Sequence, residues 1–155
     1  MKRILLTLLL LSTSVDADTM SNEECLALNI YHEARSESLA GQYAVADVVL
    51  NRVMSNRYPN TVCKVVKQAR LWDGHPIRNK CQFSWYCDGK SDTPTEMDSY
   101  YKALEISNSI LHYDKFRGIT EGSTHYHTHY VNPAWNGSMR LIGTIGDHIF
   151  YLEQY

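Results

Sequence analysis

The chain has 155 residues, a length that fits one domain. Its 15 Lys and Arg against 17 Asp and Glu give a formal net charge of -2, which excludes a protein that holds nucleic acid mainly by net positive charge. Hydrophobic residues at 44% and charged residues at 21% describe a folded protein, not a disordered one. Eleven Tyr against three Phe is an unusual ratio. Tyr offers a flat apolar face with a polar tip, which suits a polar-ligand groove as well as a core.

In chain order, the first element reads as a leader. Met1-Lys2-Arg3 is basic, Ile4 to Leu11 is an apolar run broken only by Thr7, and Ala17 is a small residue with Val15 two positions earlier. That is the order of a secretory signal peptide over 1–17, with one domain over 18–155. The run is too short for a comfortable transmembrane helix, which needs about 20 residues. Stable membrane insertion after cleavage is not expected, and the location implied is periplasmic or secreted. A retained N-terminal anchor is the alternative.

Ser21-Asn22-Glu23-Glu24 reads as a capping box. Leu26, Leu28, Ile30, Tyr31 and Ala34 then predict a largely buried helix over 22–35. Ser36-Glu37-Ser38 breaks it. A second helix is predicted over 39–55, with Val45, Val48, Val49 and Leu50 at helical spacing. Tyr58-Pro59-Asn60 is a turn, and Asn60 can cap a short third helix over 61–69. Residues 70–94 contain Gly74, Pro76, Gly89 and Pro94 with little periodicity and read as a long loop pinned by a disulfide. Thr95 can cap a fourth helix over 96–112, with Met97, Tyr100, Tyr101, Leu104 and Ile110 on its apolar side. The tail turns to period two. His125 to Tyr130 and the stretch 141–151 predict two strands of a small antiparallel sheet. Helices followed by a small hairpin predict an α+β fold.

Cys25, Cys63, Cys81 and Cys87 are even in number and all follow the leader. In an oxidising compartment they are disulfide candidates. Four cysteines allow three pairings. The favoured one closes a local loop through Cys81–Cys87 and joins two helices through Cys25–Cys63, with the others left open. Zinc binding by these thiols would need tight Cys-x-x-Cys spacing, which is absent.

Glu33 is a carboxyl at the end of an otherwise apolar helix. Burial disfavours its anion and raises its pKa, as a general acid requires near neutral pH. The alternative is a structural ion pair with Arg35 or Arg52. Glu37, in a polar turn, is expected to be solvated and is a weak second carboxylate. Asp47 in the second helix is expected to be the buried partner of an Arg. His125, His127 and His129 share one face of a regular strand. Over i, i+2 and i+4 they extend about 13 Å, so one ion cannot take all three without a bend. A polar, aromatic groove lining is favoured over a metal site, and no cofactor is expected.

The stretch Ala27-Leu28-Asn29-Ile30-Tyr31-His32-Glu33-Ala34-Arg35-Ser36-Glu37, followed by Gly41 to Val53, resembles the cell-wall hydrolase family of spore-cortex-lytic enzymes. Tyr58-Pro59-Asn60-Thr61-Val62, Cys81-Gln82-Phe83-Ser84-Trp85, Cys87-Asp88-Gly89, Thr124-His125-Tyr126-His127 and Gly146-Asp147-His148-Ile149-Phe150-Tyr151 extend the resemblance over about residues 25–152. It implies a lysozyme-like fold related to lytic transglycosylases, peptidoglycan as the partner, and Glu33 as the catalytic glutamate of a Tyr-x-Glu-Ala-Arg motif. Ser36 departs from the family's usual Gly. The implied reaction cuts the bond between N-acetylmuramic acid and N-acetylglucosamine, and one well-placed carboxyl favours a transglycosylase. A hydrolytic muramidase, which normally uses two carboxyls, a zinc amidase or peptidase of the stem peptide, and a non-catalytic wall-binding module are the alternatives. Gln82, Phe83, Ser84, Tyr126, His127 and Asn132 are the expected substrate-binding residues, with His127 favoured to face the glycan and Tyr126 packed behind it. A monomer is expected.

Overall fold

The computed structural model describes residues 20–154; the expected leader lies outside the described residues. Helix α1 (Asn22–Ala34) opens on the expected capping box. The Ser21 hydroxyl accepts the Glu24 N–H at 3.2 Å, and the Glu24 carboxylate accepts the Ser21 N–H at 2.7 Å. Leu26, Leu28, Ile30, Tyr31 and Ala34 are all buried, as their spacing predicts. Helix α2 (Leu39–Met54) starts at Ser38 and buries Val45, Val48, Val49 and Leu50. Helix α3 (Val62–Val66) is shorter than expected and is capped by Thr61, not Asn60. It ends because a strand begins at Ala69.

The stretch expected as a long loop holds a hairpin. Strands β1 (Ala69–Trp72) and β2 (His75–Cys81) pair antiparallel around Asp73-Gly74. Both turn residues have positive φ, 49° and 77°, as a two-residue primed turn requires. The strands were illegible as strands because nearly every residue on both faces is exposed. Without a buried face there is no apolar alternation to read.

Helix α4 (Met97–Tyr113) has no side-chain cap. Thr95, expected to cap it, instead donates its N–H to the Tyr31 hydroxyl at 3.1 Å, and Glu96 does the same at 3.2 Å. A tertiary contact from α1 thus satisfies two donors at the start of α4. Its buried face is Ala103, Ile106, Ser107 and Ile110, while Met97 and Tyr101 are exposed. The tail forms three strands where two were expected: β3 (His125–Thr128), β4 (Arg140–Ile145) and β5 (His148–Leu152), in the order β3-β5-β4. The turn at Gly146-Asp147 divides the stretch read as one strand.

The main core lies between the four helices and takes in Phe83 and Trp85 from the segment after β2. A smaller cluster of Ala44, Val48 and Phe150 fixes the three-stranded sheet to α2, and Tyr126 touches both. Two disulfides, Cys25–Cys63 and Cys81–Cys87, realise the favoured pairing. Asp47 is fully buried, as expected of an Arg partner. It pairs with Arg117 and accepts the N–H groups of Gly118 at 3.0 Å and Thr120 at 3.1 Å. This is the expected α+β fold. Among the described residues no helix is long and apolar enough to cross a membrane.

Candidate active site

Successive residues of the last α1 turns have different partners. Asn29 accepts the Trp85 indole N–H at 3.1 Å, and His32 stacks on the Trp85 ring at 4.5 Å. Tyr31 receives the start of α4. These contacts press the segment after β2 against α1 and leave Glu33 beside Tyr126 and Arg52.

The Tyr126 hydroxyl donates to Glu33 Oε2 at 3.1 Å. Burial raises the Glu33 pKa above the ordinary carboxylate value; the Tyr126 hydrogen bond and the Arg52 charge act against that rise without cancelling it. The same burial, with the Glu33 charge added, pushes Tyr126 well above an ordinary phenol, so it stays a neutral donor.

Arg52 is a buried cation, 5% exposed. Its Nε donates to the Thr124 carbonyl at 2.8 Å, and its guanidinium lies over the rings of Phe83 at 5.1 Å and Tyr58 at 5.4 Å. Among the described residues one terminal nitrogen, Nη1, is buried without a hydrogen-bond partner. The ion-pair alternative for Glu33 is not what forms. Arg35 pairs with Glu96 at 3.0 Å, and Arg52 acts on Glu33 through its charge. Neither Arg52 nor Tyr58 was singled out as a site residue. The available signal was Arg52 itself, a charge continuing the Val45, Val48, Val49 face of α2 at helical spacing.

Glu37 is not solvated. Its side chain is 9% exposed. Its Oε2 accepts the Asp147 N–H at 3.2 Å, and its Oε1 lies 3.6 Å from His148 Nδ1. Gly146 makes room for it. A Cβ there would stand 2.1 Å from Glu37 Oε2, on a backbone with φ of +59°. Glu37 therefore ties the β4–β5 turn to the α1–α2 junction. Ser36, where a Gly was usual, sits on an ordinary backbone without positive φ.

The order of Tyr126 and His127 is the reverse of that expected. Tyr126 pairs with Phe150 on the sheet face that meets the helices, and this carries its hydroxyl to Glu33. Alternation turns His127 to the opposite face, where it stacks on Tyr151 at 5.2 Å, bonds to the Tyr151 hydroxyl at 3.0 Å and touches Trp135. His125 also meets Trp135, while His129 is exposed near Asp147. Among the described residues no three His, Cys, Asp or Glu side chains converge as a metal site would require. Of the other expected binding residues, Phe83 is buried under Arg52, and Gln82 and Ser84 flank it exposed. Asn132 accepts the Asn136 amide at 2.7 Å and braces the loop that carries Trp135.

The sequence profile of the cell wall hydrolase family matches residues 36–151. The chain belongs to that family. A spore cortex-lytic enzyme of Halalkalibacterium halodurans is 29% identical over 145 residues, which is 90% of this chain and 37% of that protein. One from Bacillus cereus is 47% identical over 49 residues, 32% of this chain and 19% of that protein. This cell wall hydrolase thus spans well under half the length of these curated relatives. The catalytic domain of the germination-specific lytic transglycosylase SleB from Bacillus anthracis superposes with a TM-score of 0.62 at 29% identity, covering 88% of this chain and 98% of that one. The catalytic domain of the Bacillus cereus SleB protein gives 0.59 at 31% identity, covering 90% and 97%. The likeness therefore extends over essentially the whole of those catalytic domains.

Proposed function

We propose that this cell wall hydrolase cleaves the glycan strands of peptidoglycan as a lytic transglycosylase, between N-acetylmuramic acid and N-acetylglucosamine, leaving 1,6-anhydro ends. The observation that carries the reading is a single carboxyl, Glu33, whose pKa burial raises and which one tyrosine hydroxyl holds in place. Protonated Glu33 donates to the glycosidic oxygen as the C1–O bond breaks. The resulting carboxylate takes the proton of the C6 hydroxyl, whose oxygen bonds to C1 and closes the anhydro ring. Glu33 ends protonated and no water is consumed. Arg52 favours the intermediate carboxylate electrostatically, because its charge lowers the Glu33 pKa.

Two further features support one carboxyl over a pair. Glu37 is committed to the Asp147 N–H and sits against His148. The charged group that acts on Glu33 is a cation, Arg52, and not a second acid of the kind a muramidase normally uses. Phe83 and Tyr126 form the aromatic wall of the site, Gln82 and Ser84 meet sugar hydroxyl and acetamido groups, and His127 and Asn132 act from the far side of β3. The protein works as a monomer without a cofactor, in the periplasm or outside the cell, after removal of residues 1–17. Two disulfides agree with an exported protein.

Mass spectrometry of digested peptidoglycan tests this directly. Anhydro ends are expected. Reducing ends would make it a muramidase, and free stem peptides an amidase.

A further inference from the structure

We propose that the base of the β1–β2 hairpin is an anion subsite that takes carboxylates of the stem peptides borne by the glycan strand; this rests on the glycan-cleaving reading of Glu33. A concavity of about 220 Å3 there is lined by Gln68, Arg70, Lys80 and Gln82, with Ala69 and Cys81 between them. Arg70 and Lys80 flank the paired residues Ala69 and Cys81, one on each strand. Both are exposed, and among the described residues neither has an ion-pair or hydrogen-bond partner. The register shifts between Ala69 and Leu71, so the two are not a directly opposed pair, but like charges brought to one concavity repel each other. A chain with more acids than bases nonetheless places two unneutralised cations on one concavity, and the hairpin's single acid, Asp73, lies at the far tip. The remaining cation, Arg78, is engaged with the Asp88 carbonyl at 3.1 Å.

An anion between Arg70 and Lys80 removes the repulsion and gains charge-assisted hydrogen bonds. The Gln68 and Gln82 amides add neutral donors at the rim. The chemistry is that of a carboxylate on a polar chain. Position selects the source. Gln82 is next to Phe83, whose ring lies under Arg52 beside Glu33, so the concavity adjoins the aromatic wall of the site. Each stem peptide hangs from the lactyl group of a muramic acid and carries free carboxylates. A strand held across Glu33 and running past Gln82 presents those carboxylates to Arg70 and Lys80.

The test uses the secreted full-length chain carrying Glu33→Gln, so that substrate is bound and not consumed. Binding is measured by equilibrium dialysis with soluble glycan strands that carry their stem peptides, with the same strands after an amidase has removed the peptides and left one lactyl carboxylate on each muramic acid, and with strands stripped of phosphate polymers by acid. The expected result is about tenfold tighter binding to peptide-bearing than to peptide-stripped strands, screened by salt. In Arg70→Gln/Lys80→Gln this ratio should fall to about one, and in Arg70→Lys/Lys80→Arg it should be largely restored. A ratio unchanged in the Gln pair overturns the subsite, and so does a preference lost on removing phosphate instead of peptide. Turnover of peptide-bearing glycan by the unsubstituted protein is followed in parallel, with peptide-stripped glycan for comparison. Its absence would overturn the reading of Glu33, whereas turnover with no peptide preference overturns the subsite alone.

Discussion

Glu33 should betray its raised pKa in stability as well as in turnover. Its ordinary value is 4.5, and burial places the folded value higher. The group's favourable contribution is complete below about 4.5, where folded and unfolded chains both carry the proton, and is lost as pH rises through the folded value. Glu33→Gln never ionises. It should therefore melt at or above the wild-type temperature at neutral pH, with the difference closing as pH falls toward 4.5. A melting curve showing the gap widening in acid would contradict the assignment. Turnover by the same variant should fall by about 10²-fold or more, the scale of a general acid–base role. Tyr126→Phe removes a donor that favours the Glu33 anion. The alkaline limb of the pH–rate profile should move upward, with a stability cost of about 1 kcal/mol. A downward move would mean that Tyr126 does not hold the carboxylate. Glu33 was legible because a lone acid on an apolar helix stands out. Tyr126 and Arg52 were harder to place, because their roles depend on which face of β3 meets α1 and α2, and no spacing within one segment states that.

Glycines at two turns separate local strain from packing. Gly74 and Gly146 both have positive φ. At Gly74 a Cβ would meet nothing within 4 Å, whereas at Gly146 it would collide with Glu37 Oε2. Gly74→Ala should cost about 1 kcal/mol, the left-handed penalty alone. Gly146→Ala should cost at least about 2 kcal/mol, because Glu37 must also leave the Asp147 N–H. Urea unfolding of the two variants measures the difference; equal costs would show that Glu37 does not hold the turn. Helices α1 and α2 bury long consecutive runs and could be read from their apolar content, and β3 from the alternation of its residues. The β1–β2 hairpin buries neither side, so only Asp73-Gly74 marked it, and Pro76 obscured that signal. The caps of α3 and α4 were misplaced for a related reason. Thr61 stands one residue after Asn60, and the Tyr31 hydroxyl that serves α4 is more than sixty residues away in the chain.

At the scale of the whole molecule the two disulfides do different work, and that difference can be measured. Cys25–Cys63 joins α1 to α3 across 38 residues, with Cys25 fully buried in the main core. Loop-closure entropy gives such a link about 4 kcal/mol, against about 2 kcal/mol for the short Cys81–Cys87 loop across 6 residues. Function ranks them the other way. The Cys81–Cys87 loop contains Phe83, whose ring supports Arg52, and Trp85, which is fastened to Asn29 and His32 on the Glu33 helix. Opening it frees the wall of the site while the helical core stays closed. Cys25→Ala/Cys63→Ala should therefore lower the urea midpoint more and, below that midpoint, keep more turnover. Cys81→Ala/Cys87→Ala should lower the midpoint less and lose more turnover of sacculi under the same conditions. Greater destabilisation from the short loop, or full turnover without it, would show that the hairpin base and the site are not mechanically joined.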